Sequence, residues 1–361
     1  MKPAKPRTDQ PKASAVATAP EHGFADVLGM IQAARERTIV AVNAALIDLY
    51  WQVGETISMR IASDGWGQGT VTALAAFIQS RQPGLRGFSP QNLWRMRQFF
   101  EAWREPAANL AELSTLLREV PWSAHLHILG KTKRAEEREF YLRMSIQQRW
   151  PVREVARQID SALFERALLN PPQLSTALRE LHPAAETVFR DAYVVEFLEL
   201  PDGHREADLH QGLLRKLRQF LSEMGRDFCF IGSEVPLQVG GRDFALDLLF
   251  FHRELNCLVA FELKIGEFEP EHMGKLEFYL EALDRGYRKQ HEGPSIGVLL
   301  CASKDNEVVE YALSRSMSPA LVAQYQTRLP DRKLLQAKLH ELYALSETAA
   351  QEPPKKKGKK A

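Results

Sequence analysis

Between Gly240 and Lys264 the chain reads GGRDFALDLLFFHRELNCLVAFELK. Two runs dense in Leu, Phe, Val and Ile, Phe244–His252 and Cys257–Ile265, flank the polar tetrad Arg253–Asn256. Apolar runs of that length on either side of a polar turn read as an antiparallel hairpin. Three charged residues interrupt them: Asp247, Glu262 and Lys264. A charge inside an apolar strand is costly unless it is paired or holds a metal. Side chains alternate along a strand, so Glu262 and Lys264 share a face. A hairpin symmetric about the Glu254–Leu255 junction sets Asp247 opposite Glu262, with Cβ atoms about 5 Å apart. Carboxylates that close repel, and a cation between them relieves the repulsion. Hard oxygen ligands suit Mg²⁺ or Mn²⁺, so Asp247 and Glu262 are the candidate metal ligands.

The flanking sequence extends this unit. The spacing predicts a helix over Arg205–Met224, whose Leu209, Leu213, Leu217 and Leu221 form one stripe. A strand follows over Phe228–Val239. Beyond the hairpin come a helix over Glu271–Arg285 and a strand over Ile296–Cys301 that completes the sheet. The order is αβββαβ. Asp on one strand with Glu-x-Lys on the next, in that order of elements, resembles the PD-(D/E)XK nuclease superfamily and its restriction-endonuclease-like fold. The wording LDLLFFHRELNCLVAFELKIGEFEPEHMGKLEFYLEALD is similar to the C-terminal half of the YhcG-like nuclease family. LIDLYWQVGETI, GWGQGTVTALA and GFSPQNLWRMRQFFEAW resemble that family's leading domain, so the likeness runs from Phe24 to Tyr343.

The resemblance implies metal-dependent hydrolysis of phosphodiester bonds, with DNA as the expected nucleic acid. Asp247, Glu262 and Lys264 then become the catalytic residues. Lys264 would orient the attacking water or offset charge on the phosphate. Related enzymes often carry an acidic residue on the helix before the first strand, where Glu206 and Asp208 are candidates. Glu234 on the first strand is a further one, read rather as a surface or edge residue. His210 stands where the family usually has an acid, and this departure leaves the third carboxylate open. Lys275 stands where related enzymes often have Gln, and it reads as a phosphate contact or a surface residue.

Upstream, apolar residues recur at helical spacing from Phe24 to Ala62, and Asp64-Gly65-Trp66-Gly67 breaks the run. Ser89 and Pro90 are a strong start signal for a helix over Pro90–Trp103. That helix carries Gln91, Asn92, Arg95 and Arg97. Helix, turn and such a helix read as a helix-turn-helix that contacts nucleic acid, or as the solvated face of a bundle. The domain reading is a disordered tail over 1–22, a helical domain over 23–172, a connector over 173–203 with a helical patch at Tyr193–Leu200, the nuclease-like domain over 204–345, and a basic tail over 346–361. The lysines of PPKKKGKKA would neutralise phosphates or merely solubilise the end.

A net charge of +1 leaves any case for nucleic acid to local patches. No run of about 18 apolar residues suggests a membrane span, and the N-terminus lacks the apolar core of a secretory signal. Cys229, Cys257 and Cys301 form no C-x-x-C pair and read as buried free thiols of a cytoplasmic protein. His125 and His127 lack a third ligand and do not read as a metal site. A homo-oligomer is left open. The competing reading is a catalytically inactive nuclease fold that binds nucleic acid or a partner.

Overall fold

The computed structural model describes residues 19–104 and 110–351, and the chain packs into two compact units that divide after Trp122. The lysines of the C-terminal tail and residues 1–18 lie outside the described residues. Helix reaches out to Ala19 and Gln351, into both segments expected as tails.

The first unit is helical: α1 (Ala19–Asp64), α2 (Gln68–Arg81), α3 (Pro90–Trp103) and α4 (Leu110–Glu119). Gly65, at φ 65°, ends α1 in a conformation that glycine adopts without strain. Ser89 caps α3, its hydroxyl accepting the Asn92 N–H. The core joins Tyr50 and Ile57 of α1 to Val71 of α2 and to Leu93 and Met96 of α3. The connection from α2 to α3 runs from Gln82 to Ser89. It is longer than the three- or four-residue turn of a helix-turn-helix reader. The dominant contact is instead a close crossing of α1 over α3. A Cβ placed on Gly54 would lie 2.1 Å from the Met96 carbonyl oxygen. Because the obstacle is backbone, Gly54→Ala should destabilise the unit by about 1–3 kcal/mol or more, readable as a lowered thermal midpoint.

The second unit is built on a sheet. Helices α5 (Trp122–Lys131, starting at the junction), α6 (Ala135–Gln147), α7 (Val152–Asp160), α8 (Leu163–Leu169), α9 (Thr176–Leu181) and α10 (Ala185–Val188) precede strand β1 (Ala192–Val194). Next come α11 (Glu206–Arg215), α12 (Leu217–Met224), β2 (Phe228–Val239), β3 (Arg242–His252) and β4 (Cys257–Leu263). Last are α13 (His272–Gly286), β5 (Ile296–Cys301), α14 (Asn306–Ser314), β6 (Ala320–Gln326) and α15 (Arg332–Gln351). The strand order is β1-β6-β5-β4-β3-β2, antiparallel among β2, β3 and β4 and parallel from β4 through β1. One face packs on α11 and α12 through Leu209, Leu213, Phe220 and Met224. The other packs on α13 and α14 through Leu276, Leu280, Val309 and Leu313.

The αβββαβ core is present, with differences. The sheet does not end at β5, because α14 and β6 add another parallel strand. Residues 192–194 are strand, followed by a 3-10 turn over Glu196–Leu198, where a helical patch was expected. The segment expected as a connector is part of the unit: the Ser175 hydroxyl accepts the Ala320 N–H and donates to the Ser318 carbonyl. The single helix expected over Arg205–Met224 breaks at Lys216, and no Gly or Pro marks the break. It shifts burial from Leu209 and Leu213 to Phe220 and Met224, leaving Leu217 and Leu221 half-buried. Cys257 and Cys301 are buried free thiols, whereas Cys229 is exposed. No described helix is long and apolar enough to cross a membrane.

Helices α7 and α8, expected within the helical domain, are tied to α12 by a buried ion cluster. The Glu223 carboxylate is inaccessible to solvent. Oε2 meets Arg157 at 2.9 Å, and Oε1 meets Arg190 at 3.2 Å, Arg166 at 3.6 Å and the Val194 N–H at 2.9 Å. Burial works to raise its pKa, and the three guanidinium groups overcome that and hold it down to about 2. A lowered carboxylate pKa means stability that is present above the unfolded value near 4.5 and is lost as pH falls toward 2. Glu223→Gln leaves the arginines without their anion. It should cost about 3–5 kcal/mol and flatten the acid limb of a pH–stability profile.

Candidate active site

Asp247 sits on β3, Glu262 on β4 and Lys264 one residue beyond β4. The β3–β4 ladder pairs His252 with Cys257 and Leu248 with Phe261. The next step of that register sets Asp247 across from Glu262, as the symmetric hairpin requires. There the two strands part. β4 continues its pairing with β5 through Leu263 and Leu300, and the Asp247 carboxylate fills the gap by accepting the Leu263 N–H at 2.8 Å.

Glu262 is fully buried. Its Oε1 accepts from Lys264 Nζ at 2.9 Å and from Lys275 Nζ at 2.6 Å. Its Oε2 has no hydrogen-bond partner. Lys264 Nζ also donates to the Leu263 carbonyl at 3.0 Å and lies 3.6 Å from Glu206. Lys275 comes from the first turn of α13. That helix lies close to the sheet because β5 has glycine beneath it: a Cβ on Gly297 would sit 2.8 Å from Leu276 Cγ. Burial raises the Asp247 pKa first, and the neighbouring Glu262 raises it further. Burial depresses Lys275, but the bond to Glu262 outweighs it and leaves the ammonium above its ordinary value.

The sequence expectations divide here. Asp247, Glu262, Lys264 and Lys275 converge. Lys275, expected to touch a phosphate, is committed to Glu262. Glu206 reaches the cluster only through Lys264. Asp208 caps α11, accepting the Arg205 N–H at 2.9 Å. Glu234 is exposed within β2, at φ 49°. His210 contacts the Asp247 backbone: Nε2 is 3.2 Å from the carbonyl oxygen, which can only accept, so Nε2 carries the proton. Of the candidate nucleic-acid contacts on α3, Asn92 is used internally, bonded to the Gly87 carbonyl and accepting from Trp122 Nε1. Arg97 pairs with Glu101 at 2.8 Å and covers the Trp94 ring. Gln91 is exposed and Arg95 half-buried.

The donors present fit a hard divalent cation. A buried carboxylate oxygen without a partner is costly unless a cation or donor meets it, and Glu262 Oε2 is such an atom beside a second carboxylate. Among the described residues no group of three or more His, Cys, Asp or Glu is placed to hold a metal. Mg²⁺ commonly takes one or two carboxylates and completes its shell with water and substrate phosphate.

A carboxylate pair with a lysine, at the point where a mixed α/β sheet splits, belongs to the PD-(D/E)XK class of nuclease folds. The model of the YhcG PDDEXK nuclease domain matches residues 186–340, and that of the DUF1016 N-terminal domain matches residues 26–166. The chain is 30% identical over 357 residues to "Putative nuclease YhcG" of Escherichia coli (strain K12), covering 89% of this chain and 94% of that one. It belongs to the YhcG nuclease family. Two solved structures show fainter likeness. A repair endonuclease from Pyrococcus abyssi has 16% identity and a TM-score of 0.24, covering 37% of this chain and 50% of that chain. An EndoMS complex with dsDNA has 16% identity and a TM-score of 0.23, covering 37% and 51%. The chain thus spans about half the length of either, and neither bears on the assignment.

The raised Asp247 pKa has a consequence for stability. A carboxylate whose folded pKa exceeds its unfolded value destabilises the fold once ionised, so its cost is felt at neutral pH and relieved as pH falls through the raised value. Asp247→Asn should therefore raise the thermal midpoint at neutral pH. Mg²⁺ or Mn²⁺ should raise the midpoint of the unmutated chain and leave that of the variant unchanged.

Proposed function

We propose that the chain is a metal-dependent nuclease that hydrolyses phosphodiester bonds in DNA. The observation that carries this reading is the buried Glu262, with one oxygen bare, beside Asp247 and Lys264. Asp247 and Glu262 are the ligands for Mg²⁺ or Mn²⁺, with the Leu263 carbonyl within the same cluster. When bound, the ion polarises the scissile phosphate and acidifies a water. In the reaction a water oxygen bonds to phosphorus, the P–O ester bond breaks, and the departing oxygen takes a proton. Lys264 holds a positive charge where negative charge builds on the phosphate oxygens. The Leu263 N–H fixes the Asp247 carboxylate, and His210 fixes the backbone behind it. Lys275 balances the Glu262 charge from the helix side.

The test is nicking of supercoiled plasmid with Mg²⁺ or Mn²⁺. Glu262→Ala and Lys264→Ala should each lower the rate at least about a hundredfold, some 2.7 kcal/mol of transition-state stabilisation. A chain that binds DNA but cuts it in neither metal defeats the proposal. That outcome supports the second reading, an inactive nuclease fold that binds nucleic acid or a partner. What favours this second reading is His210, an imidazole at the position where the resemblance to the family implies an acid.

A further inference from the structure

From Gln211 to Arg226 the sequence carries four cations, Arg215, Lys216, Arg218 and Arg226, and one carboxylate, Glu223. The carboxylate is fully buried and spent on three internal arginines. The outer surface of α12 and of the end of α11 is therefore cationic, the next acid, Asp227, being paired with Arg253, on a chain whose net charge is only +1. Arg215, Arg218 and Arg226 are exposed, and none has an acidic partner among the described residues. Arg149, at the end of α6, joins them. Its φ of 49° is left-handed, a conformation that costs a non-glycine residue about 1 kcal/mol or more. The turn is held by the Arg149 N–H on the Ile146 carbonyl and the Trp150 N–H on the Ser145 carbonyl. Gln148 accepts the Arg226 N–H at 2.9 Å, which fixes the end of α6 to the turn before β2. Arg149, Arg218 and Arg226 rim a hollow of about 480 Å³ whose walls include Trp150, Leu217 and Leu221.

The strip has a direction. Its near end is α11, whose first residue, Glu206, meets Lys264 of the candidate active site. Its far end is the hollow, beside Phe228, which pairs with His252 at the turn of the hairpin. His252 is five residues from Asp247 along β3. At about 3.3 Å per residue that is about 17 Å, or roughly five nucleotide steps of 3.4 Å.

We propose that this strip and hollow bind the phosphate backbone of the nucleic acid about five steps from the bond that is cut. The inference rests on the nuclease reading. Arg149, Arg215, Arg218 and Arg226, exposed and without acidic partners among the described residues, match the phosphates of a polyanion that also passes through the site reached by the first turn of α11.

The test compares the full-length chain with R149Q/R215Q/R218Q/R226Q. Binding of a labelled DNA duplex is measured in EDTA between about 50 and 200 mM salt. The variant should keep the thermal midpoint. Its log–log salt slope should be shallower by about three to four units, near 0.9 for each phosphate no longer neutralised. In nicking assays KM should rise with kcat unchanged. A short duplex ending within about five steps of the cut should be handled alike by both proteins. If the unmutated chain binds and cuts DNA while the variant shows the same affinity and slope, the inference is overturned and the nuclease reading stands. Polyglutamate binding that the substitutions abolish, with DNA binding unaffected, overturns it in favour of an acidic protein partner. If the unmutated chain neither binds nor cuts, both fall.

Discussion

The second unit is organised around one carboxylate that has no business in an apolar sheet. Glu262 is flanked along β4 by Phe261 and Leu263, all three without solvent exposure. Two ammonium groups approach one of its oxygens and the other has no hydrogen-bond partner. An anion at that depth is tolerable only because cations are brought to it. Each device around it serves that delivery. The strand register brings Asp247 alongside, the end of β4 supplies Lys264, and Gly297 lets α13 settle close enough for Lys275 to reach. Replacing these charges with apolar residues would remove the burial cost, and the unit carries that cost at the cluster proposed as its active site.

Another buried carboxylate, Glu223, solves the same problem with both oxygens met. Three arginines, a glutamine and a backbone N–H surround its carboxylate. Its pKa is held down, whereas that of Asp247 is pushed up. The contrast separates a carboxylate that fastens helices to the sheet from a pair in which one oxygen, Glu262 Oε2, has no hydrogen-bond partner. It also clears the outer face of α12 of negative charge, since the only acid in that stretch is turned inward.

Much of the sheet was legible because its signals are local. Two apolar runs and a polar turn define β3 and β4, and period-two alternation with a symmetric turn fixes the register that joins Asp247 to Glu262. Ser89-Pro90 announced α3. Local pattern failed where tertiary pairing decides. β1 is three residues long and exists because Ala192, Tyr193 and Val194 have β6 to pair with. The break at Lys216 leaves no mark in composition. Asn92 looked free to meet nucleic acid, since nothing nearby in sequence reveals that Trp122 claims it, whereas Glu101 claims Arg97 from the i, i+4 position of the same helix.

By itself the sequence determined the family, the order αβββαβ, and the placing of Asp247 and Glu262 on adjoining strands with Lys264 just beyond the second. These depend on side-chain type and on periods of two and 3.6 residues, which are written along the chain. The tertiary structure alone decided that Lys275 binds Glu262, that His210 braces the Asp247 backbone, and that Arg149 stands beside Arg218 and Arg226. Each of these contacts joins residues on different elements, and only packing fixes which elements meet.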